Sequence, residues 1–301
     1  MNISHPGGNL YHRQEVNAGD WLKKAHQRLA AHRETASLEA QALLAETLGK
    51  PRAWVLAHPE AVLSSTHQAT LEMKLRRLEQ GEPLPYILGH WEFYGLDFAV
   101  TPDVLIPRPE TELLVSHALG WLDKMASTPA PIHAIDVGAG SGCIAVVLAK
   151  HQPRLQITAV DFSWSALLVA RQNIARHQVE NQVSLVNGDL MTCFSKGGIF
   201  ELICANLPYI PSDRLPSLAV SRHEPTAALD GGVKGFQLIE RLVWQSQARL
   251  TDRGLLLIEI DHTQRDLVMA LAKQVFPDAE TIIYSDLSGA ARLVSIQRNP
   301  A

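Results

Sequence analysis

The clearest chemical signal in the sequence is a glycine-rich segment that reads D-V-G-A-G-S-G over residues 136–142. Glycines at alternate positions let the backbone turn sharply and approach a ligand without obstruction by side chains. The spacing is G-x-G-x-G and not the G-x-G-x-x-G of dinucleotide-binding enzymes, and an acidic residue precedes it. The residues of this predicted ligand-binding loop are Gly138, Ala139, Gly140, Ser141 and Gly142.

Acidic residues also follow the next two predicted strands. Asp161 comes after an apolar run at residues 156–160, where a carboxylate can accept hydrogen bonds from both hydroxyls of a ribose. Asp189 and Leu190 follow the run at 183–186, and they are placed to contact the edge and the face of an adenine. Because the ends of three neighbouring strands converge, the pattern predicts a crevice shaped for a nucleoside.

A fourth signal, the segment N-L-P-Y at residues 206–209, directly follows an apolar strand at 201–205. The side-chain oxygen of Asn206 can accept a hydrogen bond from an NH2 group, and the carbonyl of Leu207 can accept the other hydrogen. Pro208 stiffens the loop, and Tyr209 offers a flat wall. The segment therefore predicts a site that holds a planar amide or amine beside the crevice.

The length and composition limit which proteins this chain resembles. It has 301 residues, of which 46% are hydrophobic and 19% are charged, as in a globular protein of about two domains. The formal charge of −4 argues against a protein that grips long stretches of nucleic acid, so we expect no direct nucleic-acid binding. Apolar runs are too short to span a bilayer. Cys143, Cys193 and Cys204 lack metal-ligand spacing and are interpreted as reduced core residues of a cytoplasmic protein.

Residues 1–19 are predicted to be a flexible leader without an apolar signal segment, and residues 20–82 a small helical domain. Asp20 is the expected N-cap of its first helix, and Ser37 opens the second. A turn is predicted around Trp54, and a third helix runs over residues 65–80. Residues 83–108 are predicted to form a hairpin or linker.

Residues 109–301 alternate between helices and strands after an initial helix that ends near Lys124. This alternation predicts an α/β domain with a mostly parallel sheet that is covered by helices on both faces. The last two predicted strands, at 281–284 and 292–297, are joined by a short loop. They are expected to form an antiparallel edge of the sheet.

Together, the glycine loop, Asp161 and the N-L-P-Y segment resemble Rossmann-like S-adenosylmethionine methyltransferases of the NPPY class. The segment V-L-I-P-R-P-E-T-E at residues 104–112 resembles a signature of the HemK/PrmC family. Further similar segments are P-Y-I-L-G at 85–89, E-P at 224–225, G-G at 231–232, and D-L-S-G at 286–289. The resemblance extends from about residue 20 to residue 297 and includes the helical domain.

The resemblance implies an enzyme that methylates the side-chain nitrogen (N5) of the glutamine in the GGQ motif of class-one peptide chain release factors. S-adenosylmethionine would be the donor, S-adenosylhomocysteine the product, no metal would take part, and the helical domain would recognise the release factor. The residues that would line the donor site are Gly138, Ala139, Gly140, Ser141, Gly142, Asp161, Asp189, Leu190 and Asn206. Asn206, Leu207, Pro208 and Tyr209 would hold the substrate glutamine.

The sequence departs from the family pattern at Leu207, where proline is common, at Leu190, where some members have an aromatic residue, and at Asp261, where glycine is common. None of these changes removes a group that the chemistry needs. Arg108 and Glu110 are interpreted as structural residues of a linker that leads into a helix.

Two alternatives remain open at this point. Another NPPY-class enzyme would methylate a glutamine of a ribosomal protein or the N6 amine of adenine in nucleic acid. A protein of a different class would bind S-adenosylmethionine without catalysis. The absence of long basic runs disfavours nucleic acid as the substrate, and the intact Asn206 and Tyr209 disfavour a simple binding module.

Overall fold

A computed structural model describes residues 16–125 and 130–299 of the protein. Most of the predicted leader, residues 1–15, lies outside the described residues. The chain divides into two compact units, with the boundary between Leu88 and Gly89. This boundary falls inside the segment 83–108 that the sequence predicts to be a hairpin or linker.

The first unit consists of helices. They are α1 (Ala18–Leu29), α2 (Ala36–Leu48), α3 (Arg52–Ala57), α4 (Ser65–Glu79) and α5 (Leu84–Leu88). The prediction that Asp20 caps the first helix is wrong, because the helix begins at Ala18 and the side chain of Asn17 accepts the backbone N–H of Asp20 at 2.8 Å. Asparagine is as good an N-cap as aspartate, so residue type alone does not locate the helix end. The turn expected around Trp54 is the short helix α3.

The core of the first unit follows the helical periodicity of the sequence. Leu71, Leu75 and Leu78 of α4 are all buried, at a spacing that places them on one face of the helix. On the surface of the unit, Arg28 of α1 forms ion pairs with Glu72 at 2.7 Å and with Glu79 at 2.6 Å. These contacts connect α1 and α4 within one helical bundle.

The second unit begins with an antiparallel hairpin and continues as alternating helices and strands. Its strands are β1 (His90–Phe93), β2 (Leu96–Ala99), β3 (Ile132–Val137), β4 (Leu155–Asp161), β5 (Val183–Asn187), β6 (Phe200–Ala205), β7 (Leu250–Glu259), β8 (Glu280–Ser285) and β9 (Ala291–Gln297). Its α-helices are α6 (Thr111–Lys124), α7 (Cys143–His151), α8 (Trp164–Arg176), α9 (Gln237–Gln247) and α10 (Arg265–Val275).

Seven of these strands form one sheet in the order β5-β4-β3-β6-β7-β9-β8. The neighbouring strands from β5 to β7 in this order run parallel, and β9 pairs antiparallel with both β7 and β8. Two large apolar clusters lie in this unit, and the central strands contribute to both of them. The predicted α/β fold, with its mostly parallel sheet, antiparallel edge and preceding helices, is confirmed.

The strand order reverses direction between β3 and β6, because β4 and β5 extend to one side of β3 and the later strands to the other. In open α/β sheets, ligands bind beyond the carboxyl ends of the strands at such a reversal. The fold therefore predicts a ligand site among the loops after Val137, Asp161, Asn187 and Ala205.

No helix within residues 16–125 and 130–299 is long and apolar enough to cross a membrane. Cys143 and Cys204 are buried, but the prediction that Cys193 is a core residue is wrong, because its side chain is exposed. Cys193 lies in the turn after β5, beyond the apolar strand that suggested burial.

Candidate active site

A cavity of about 400 Å³ lies in the second unit, at the carboxyl ends of the parallel strands. Its size is within the range of small-molecule sites. Its walls include every residue of the glycine loop from Gly138 to Ser141, together with Asp161, Asp189, Leu190 and Asn206. The loops after β3, β4, β5 and β6 therefore meet at one cavity, as their placement on parallel strands predicts.

The glycines of the loop after β3 have backbone angles that side chains disfavour. Gly138, Gly140 and Gly142 have φ values of +78°, +54° and +77°. A Cβ atom at Gly140 would meet nothing within 4 Å, whereas one at Gly142 would lie 3.1 Å from the Cβ of Ala170 in α8. Gly140 thus leaves open space beside the backbone, and Gly142 permits close packing of the loop against α8.

The carboxylate of Asp161 fixes the shape of this loop. One oxygen accepts the backbone N–H of Gly140 at 2.8 Å, and the other accepts that of Ser163, also at 2.8 Å. Burial raises the pKa of Asp161, and the two N–H donors oppose this shift. Since a carboxylate offers about four acceptor sites, two bonds of this kind leave capacity for ligand hydroxyls.

The far wall of the cavity combines apolar and charged groups. Leu190 is buried with φ at +51°, an uncommon conformation for a residue with a side chain. Asp189 forms an ion pair with Arg241 of α9 at 2.5 Å. Phe162 also lines the cavity and is 78% exposed, and sequence reasoning missed it. The available signal was an aromatic residue directly after Asp161, whose face suits contact with a planar base.

The N-L-P-Y segment begins where β6 ends and adjoins the glycine loop. A Cβ atom at Gly138 would lie only 2.9 Å from Cδ2 of Leu207 and 3.6 Å from the backbone oxygen of Asn206. The two motifs that the sequence singled out are therefore in direct contact. Leu207 is buried, and its side chain fills the space that the missing side chain of Gly138 leaves.

The structure places the four residues of this segment unequally. Within the described part of the chain, the cavity walls include Asn206, Leu207 and Pro208 but not Tyr209. Tyr209 packs instead against an apolar cluster of the sheet, where burial raises the pKa of its hydroxyl to about 12. The role of Tyr209 as a flat wall for the substrate stays a prediction, and its ring is partly buried beside the cavity.

Two glycines of the segment after Pro225 explain why that segment is glycine-rich. A Cβ atom at Gly231 would lie 2.6 Å from the carbonyl oxygen of Pro208, and one at Gly235 would overlap the carbonyl oxygen of Tyr209. Any side chain at these positions would displace the N-L-P-Y backbone. The glycines thus allow two loop backbones to lie against each other.

The side chain of Asn206 is hydrogen-bonded, through Thr111, to Glu259, and these three residues are far apart in the sequence. Its side-chain nitrogen donates to the hydroxyl of Thr111 at 2.9 Å, and that hydroxyl donates to Oε2 of Glu259 at 2.7 Å. Glu259 ends β7 and is only 2% exposed. Burial raises its pKa to about 7, and the hydrogen bond from Thr111 opposes this shift.

Asp136, the acidic residue before the glycine loop, is a second buried carboxylate. Its Oδ2 accepts the backbone N–H of Ala145 at 3.2 Å, and its Oδ1 has no hydrogen-bond partner among the described residues. Its full burial raises its pKa to about 7. Asp136 is therefore a buried residue at the end of β3, below the glycine loop, and is not exposed on the loop surface.

Arg108 lines the cavity and connects two segments of the predicted family signature. It forms an ion pair at 2.6 Å with Glu224, whose side chain is 3% exposed, and the other oxygen of Glu224 accepts the backbone N–H of Ile106 at 3.3 Å. This contact agrees with the structural interpretation of Arg108. No group of three His, Cys, Asp or Glu side chains that could hold a metal ion occurs within residues 16–125 and 130–299.

Comparison with known proteins gives consistent results for both parts of the chain. Residues 20–89 match the PrmC N-terminal domain, and residues 111–219 match the methyltransferase small domain. The hMettl16 catalytic domain, solved with a MAT2A 3'UTR hairpin, covers 78% of this chain and 82% of its own at 13% identity, with a TM-score of 0.52. At this identity the likeness shows the fold alone.

Curated relatives match over nearly the whole chain. A release factor glutamine methyltransferase from Koribacter versatilis is 37% identical over 93% of this chain and 99% of its own. Another of the same name from Coxiella burnetii is 36% identical over 92% of this chain and 97% of its own. With this identity over both domains, the chain belongs to the family of S-adenosylmethionine-dependent release factor glutamine methyltransferases.

Proposed function

We propose that this protein transfers a methyl group from S-adenosylmethionine to the side-chain amide nitrogen of the glutamine in the GGQ motif of class-one release factors. One observation carries the proposal. Asn206, with its amide nitrogen bonded to Thr111, lines the same cavity as the glycine loop, in a chain that is 37% identical to a release factor glutamine methyltransferase over 99% of that relative's length.

The cavity suits a nucleoside-bearing donor. Open space beside Gly140 allows close approach to the backbone, the Asp161 carboxylate has acceptor capacity for ribose hydroxyls, and Phe162 and Leu190 offer apolar contact for the adenine. Asp189 is proposed to contact the adenine edge while it is paired with Arg241. When bound, the donor supplies an activated methyl group on its sulfonium sulfur.

A primary amide nitrogen is a poor nucleophile, because its lone pair is delocalised into the carbonyl. The protein's main task is therefore to align this nitrogen with the methyl carbon and the sulfur. We propose that the side-chain oxygen of Asn206 and the carbonyl of Leu207 accept the two N–H bonds of the glutamine. These bonds strengthen as positive charge builds on the nitrogen, so they stabilise the transition state more than the bound substrate.

The products follow from the balance of the transfer. As the carbon–nitrogen bond of the methylated glutamine forms, the carbon–sulfur bond of the donor would break and leave S-adenosylhomocysteine. The methylated nitrogen then loses one proton to water, since a protonated amide is a strong acid. Pro208 keeps the Leu207 carbonyl in a restricted loop, and Tyr209 supports that loop from the apolar cluster of the sheet.

We further propose that residues 20–82, which contain no catalytic motif, recognise the release factor, and that the protein acts in the cytoplasm. The match of residues 20–89 to the PrmC N-terminal domain supports the first part. The three free cysteines support a reducing compartment.

Mass spectrometry tests the proposal directly. Purified protein and S-adenosylmethionine are incubated with a class-one release factor, and separately with a ribosomal-protein mixture and an adenine-containing oligonucleotide. The expected result is a mass increase of about 14 Da on the glutamine of the GGQ peptide, which corresponds to one added CH2 unit. The Asn206→Ala variant should lose most of it, by a factor of about 10². Methylation of the oligonucleotide or the ribosomal proteins instead would refute the assignment.

A further inference from the structure

Behind Asn206 lies a chain of two hydrogen bonds that ends at a buried carboxylate. The atoms run from the Asn206 nitrogen to the Thr111 hydroxyl at 2.9 Å, and from that hydroxyl to the Glu259 carboxylate at 2.7 Å. Thr111 is 2% exposed and Glu259 is 2% exposed, so bulk water does not compete for these bonds. Bonds in such a place are strong, and an unmade bond is costly.

The hydrogen atoms available to these three side chains determine which group donates and which accepts in each bond. An ionised carboxylate can only accept, so the single hydroxyl hydrogen of Thr111 points to Glu259. The Thr111 oxygen then has only lone pairs for Asn206, and it must face the NH2 end of the amide. The oxygen and the NH2 group of a carboxamide are similar in size and differ mainly in that one accepts and the other donates hydrogen bonds. The Thr111 hydroxyl therefore determines the orientation of the Asn206 side chain.

We infer that Thr111 and Glu259 are positioning residues, which hold the Asn206 amide with its nitrogen inward and its oxygen available to the nitrogen to be methylated. The inference rests on the proposed function, because the benefit of this orientation is that it presents an acceptor to an NH2 group. With the amide reversed, Asn206 would present two N–H donors to the substrate nitrogen and would repel it.

The fold brings the three residues together from distant parts of the chain. Thr111 is the first residue of α6, Asn206 follows the last residue of β6, and Glu259 is the last residue of β7. β6 and β7 are parallel neighbours, and Ala205 lies opposite Ile258, so Asn206 and Glu259 come next in register. The rigid sheet thus fixes both ends of the chain of hydrogen bonds, and α6 supplies the middle.

Three variants test the inference. Thr111→Val keeps the shape of the side chain but removes the hydroxyl, Thr111→Ser keeps the hydroxyl, and Glu259→Gln replaces two acceptors by one acceptor and one donor. Thr251→Val is the matched control, since the Thr251 hydroxyl, at the opposite end of the same strand, has no hydrogen-bond partner among the described residues. All four are first checked for native circular dichroism and for donor affinity by calorimetry.

The first readout is steady-state methylation of release factor at about pH 8.5, where Glu259 is ionised because burial raises its pKa only to about 7. Thr111→Val should lower kcat by about tenfold or more, with an unchanged Kd for the donor. Glu259→Gln should give a smaller loss, because its amide permits both orientations of Asn206. Thr111→Ser should restore kcat to within about threefold of the wild type, and Thr251→Val should equal the wild type.

The second readout needs no substrate. The side-chain NH2 resonances of Asn206 are identified in a ¹H–¹⁵N spectrum by their loss in Asn206→Ala. They should move in Thr111→Val and Glu259→Gln and stay in place in Thr251→Val. If Thr111→Val leaves both these resonances and kcat unchanged, the positioning role is refuted. If the wild type methylates no release factor, the proposed function fails, while the resonances still decide whether Thr111 and Glu259 orient Asn206.

Discussion

The two sides of the cavity are built in different ways. On the side of β3 and β4, a loop of glycines takes its shape from backbone angles, and main-chain N–H groups bind the carboxylate of Asp161. On the side of β6 and β7, side chains bind side chains, from Asn206 through Thr111 to Glu259. The first arrangement is local in the chain, whereas the second joins residues 95 and 148 positions apart.

The two sides of the cavity are therefore sensitive to different changes. A loop held by its own backbone tolerates changes elsewhere, but it depends on the few positions that permit its angles. The hydrogen-bonded series from Asn206 to Glu259 depends on each of its side chains, because the loss of one leaves a buried polar group without a partner. We therefore expect variants on the glycine-loop side to change the donor Kd and variants on the Asn206 side to change kcat.

The largest effect is expected from Asn206→Ala. This change removes the side-chain acceptor for the substrate nitrogen, so kcat for release factor should fall by about 10²-fold or more. The Kd for S-adenosylmethionine, measured by calorimetry, should stay nearly constant, since the glycine loop and Asp161 are intact. The exposed Asn299→Ala serves as the control. A large loss of donor affinity in Asn206→Ala would show that the two sides are not separable.

The opposite pattern is expected from Asp161→Ala. The change removes the proposed acceptor for the ribose hydroxyls and frees the backbone N–H groups of Gly140 and Ser163, so the donor Kd should rise by about tenfold or more. At saturating donor, kcat should change by no more than about threefold. Calorimetry and initial rates give both numbers, with the exposed Asp278→Ala as the control. Unaltered donor affinity would contradict the ribose assignment.

A smaller, pH-dependent effect is expected from the two buried carboxylates, one on each side of the cavity. Burial raises the pKa of Asp136 to about 7, above its ordinary value of 3.8, so the folded protein binds a proton that the unfolded chain has lost. The free energy of unfolding should therefore fall as pH rises from about 4 to about 7, by up to about 1.4 kcal/mol per pH unit for this group. Glu259 contributes a second slope of the same sign, because its pKa is also raised to about 7.

Asp136→Asn should reduce the slope of the free energy of unfolding against pH by the contribution of about one proton. Urea unfolding between about pH 5 and pH 7 measures this slope. The exposed Asp278→Asn should leave the slope as it is in the wild type. An Asp136→Asn protein with the wild-type slope would mean that Asp136 is ionised throughout this range and is stabilised by groups other than those described.

Sequence reasoning found the side of the site that is local in the chain. The glycine loop, Asp161 and the residues after β5 could be predicted because each stands at the end of an apolar strand, and parallel strands bring their ends to one edge. The sheet itself was predictable for the same reason, since apolar strands and helices alternate from Ile132 onward. The error of three residues at the first helix, where Asn17 and not Asp20 is the N-cap, arises because nearby residues are equally able to cap.

The other side was only half predictable. Asn206 can be identified from its own segment, and Thr111 lies in the signature segment at 104–112. Their contact with each other and with Glu259 cannot be predicted, because no local pattern shows which partner from another element a hydroxyl or a carboxylate will meet. The place of Tyr209 in its segment predicts a wall for the substrate, but the packing of its ring against an apolar cluster of the sheet could not be predicted. Residue type gives the chemistry that is possible, while the direction of a side chain depends on packing that only the fold supplies.

The parallel alignment of β6 with β7 has a consequence for how this protein tolerates insertions and deletions. Side chains alternate between the two faces of a sheet, so one residue added within β7 would turn Glu259 to the opposite face. The apolar side chains of this strand alternate between the two buried clusters, so such a slip would also move each of them into the opposite cluster and lower the stability of the sheet. The same register therefore carries two loads, the packing of the two apolar clusters and the contact of Glu259 with Thr111, and a one-residue insertion in β7 would damage both.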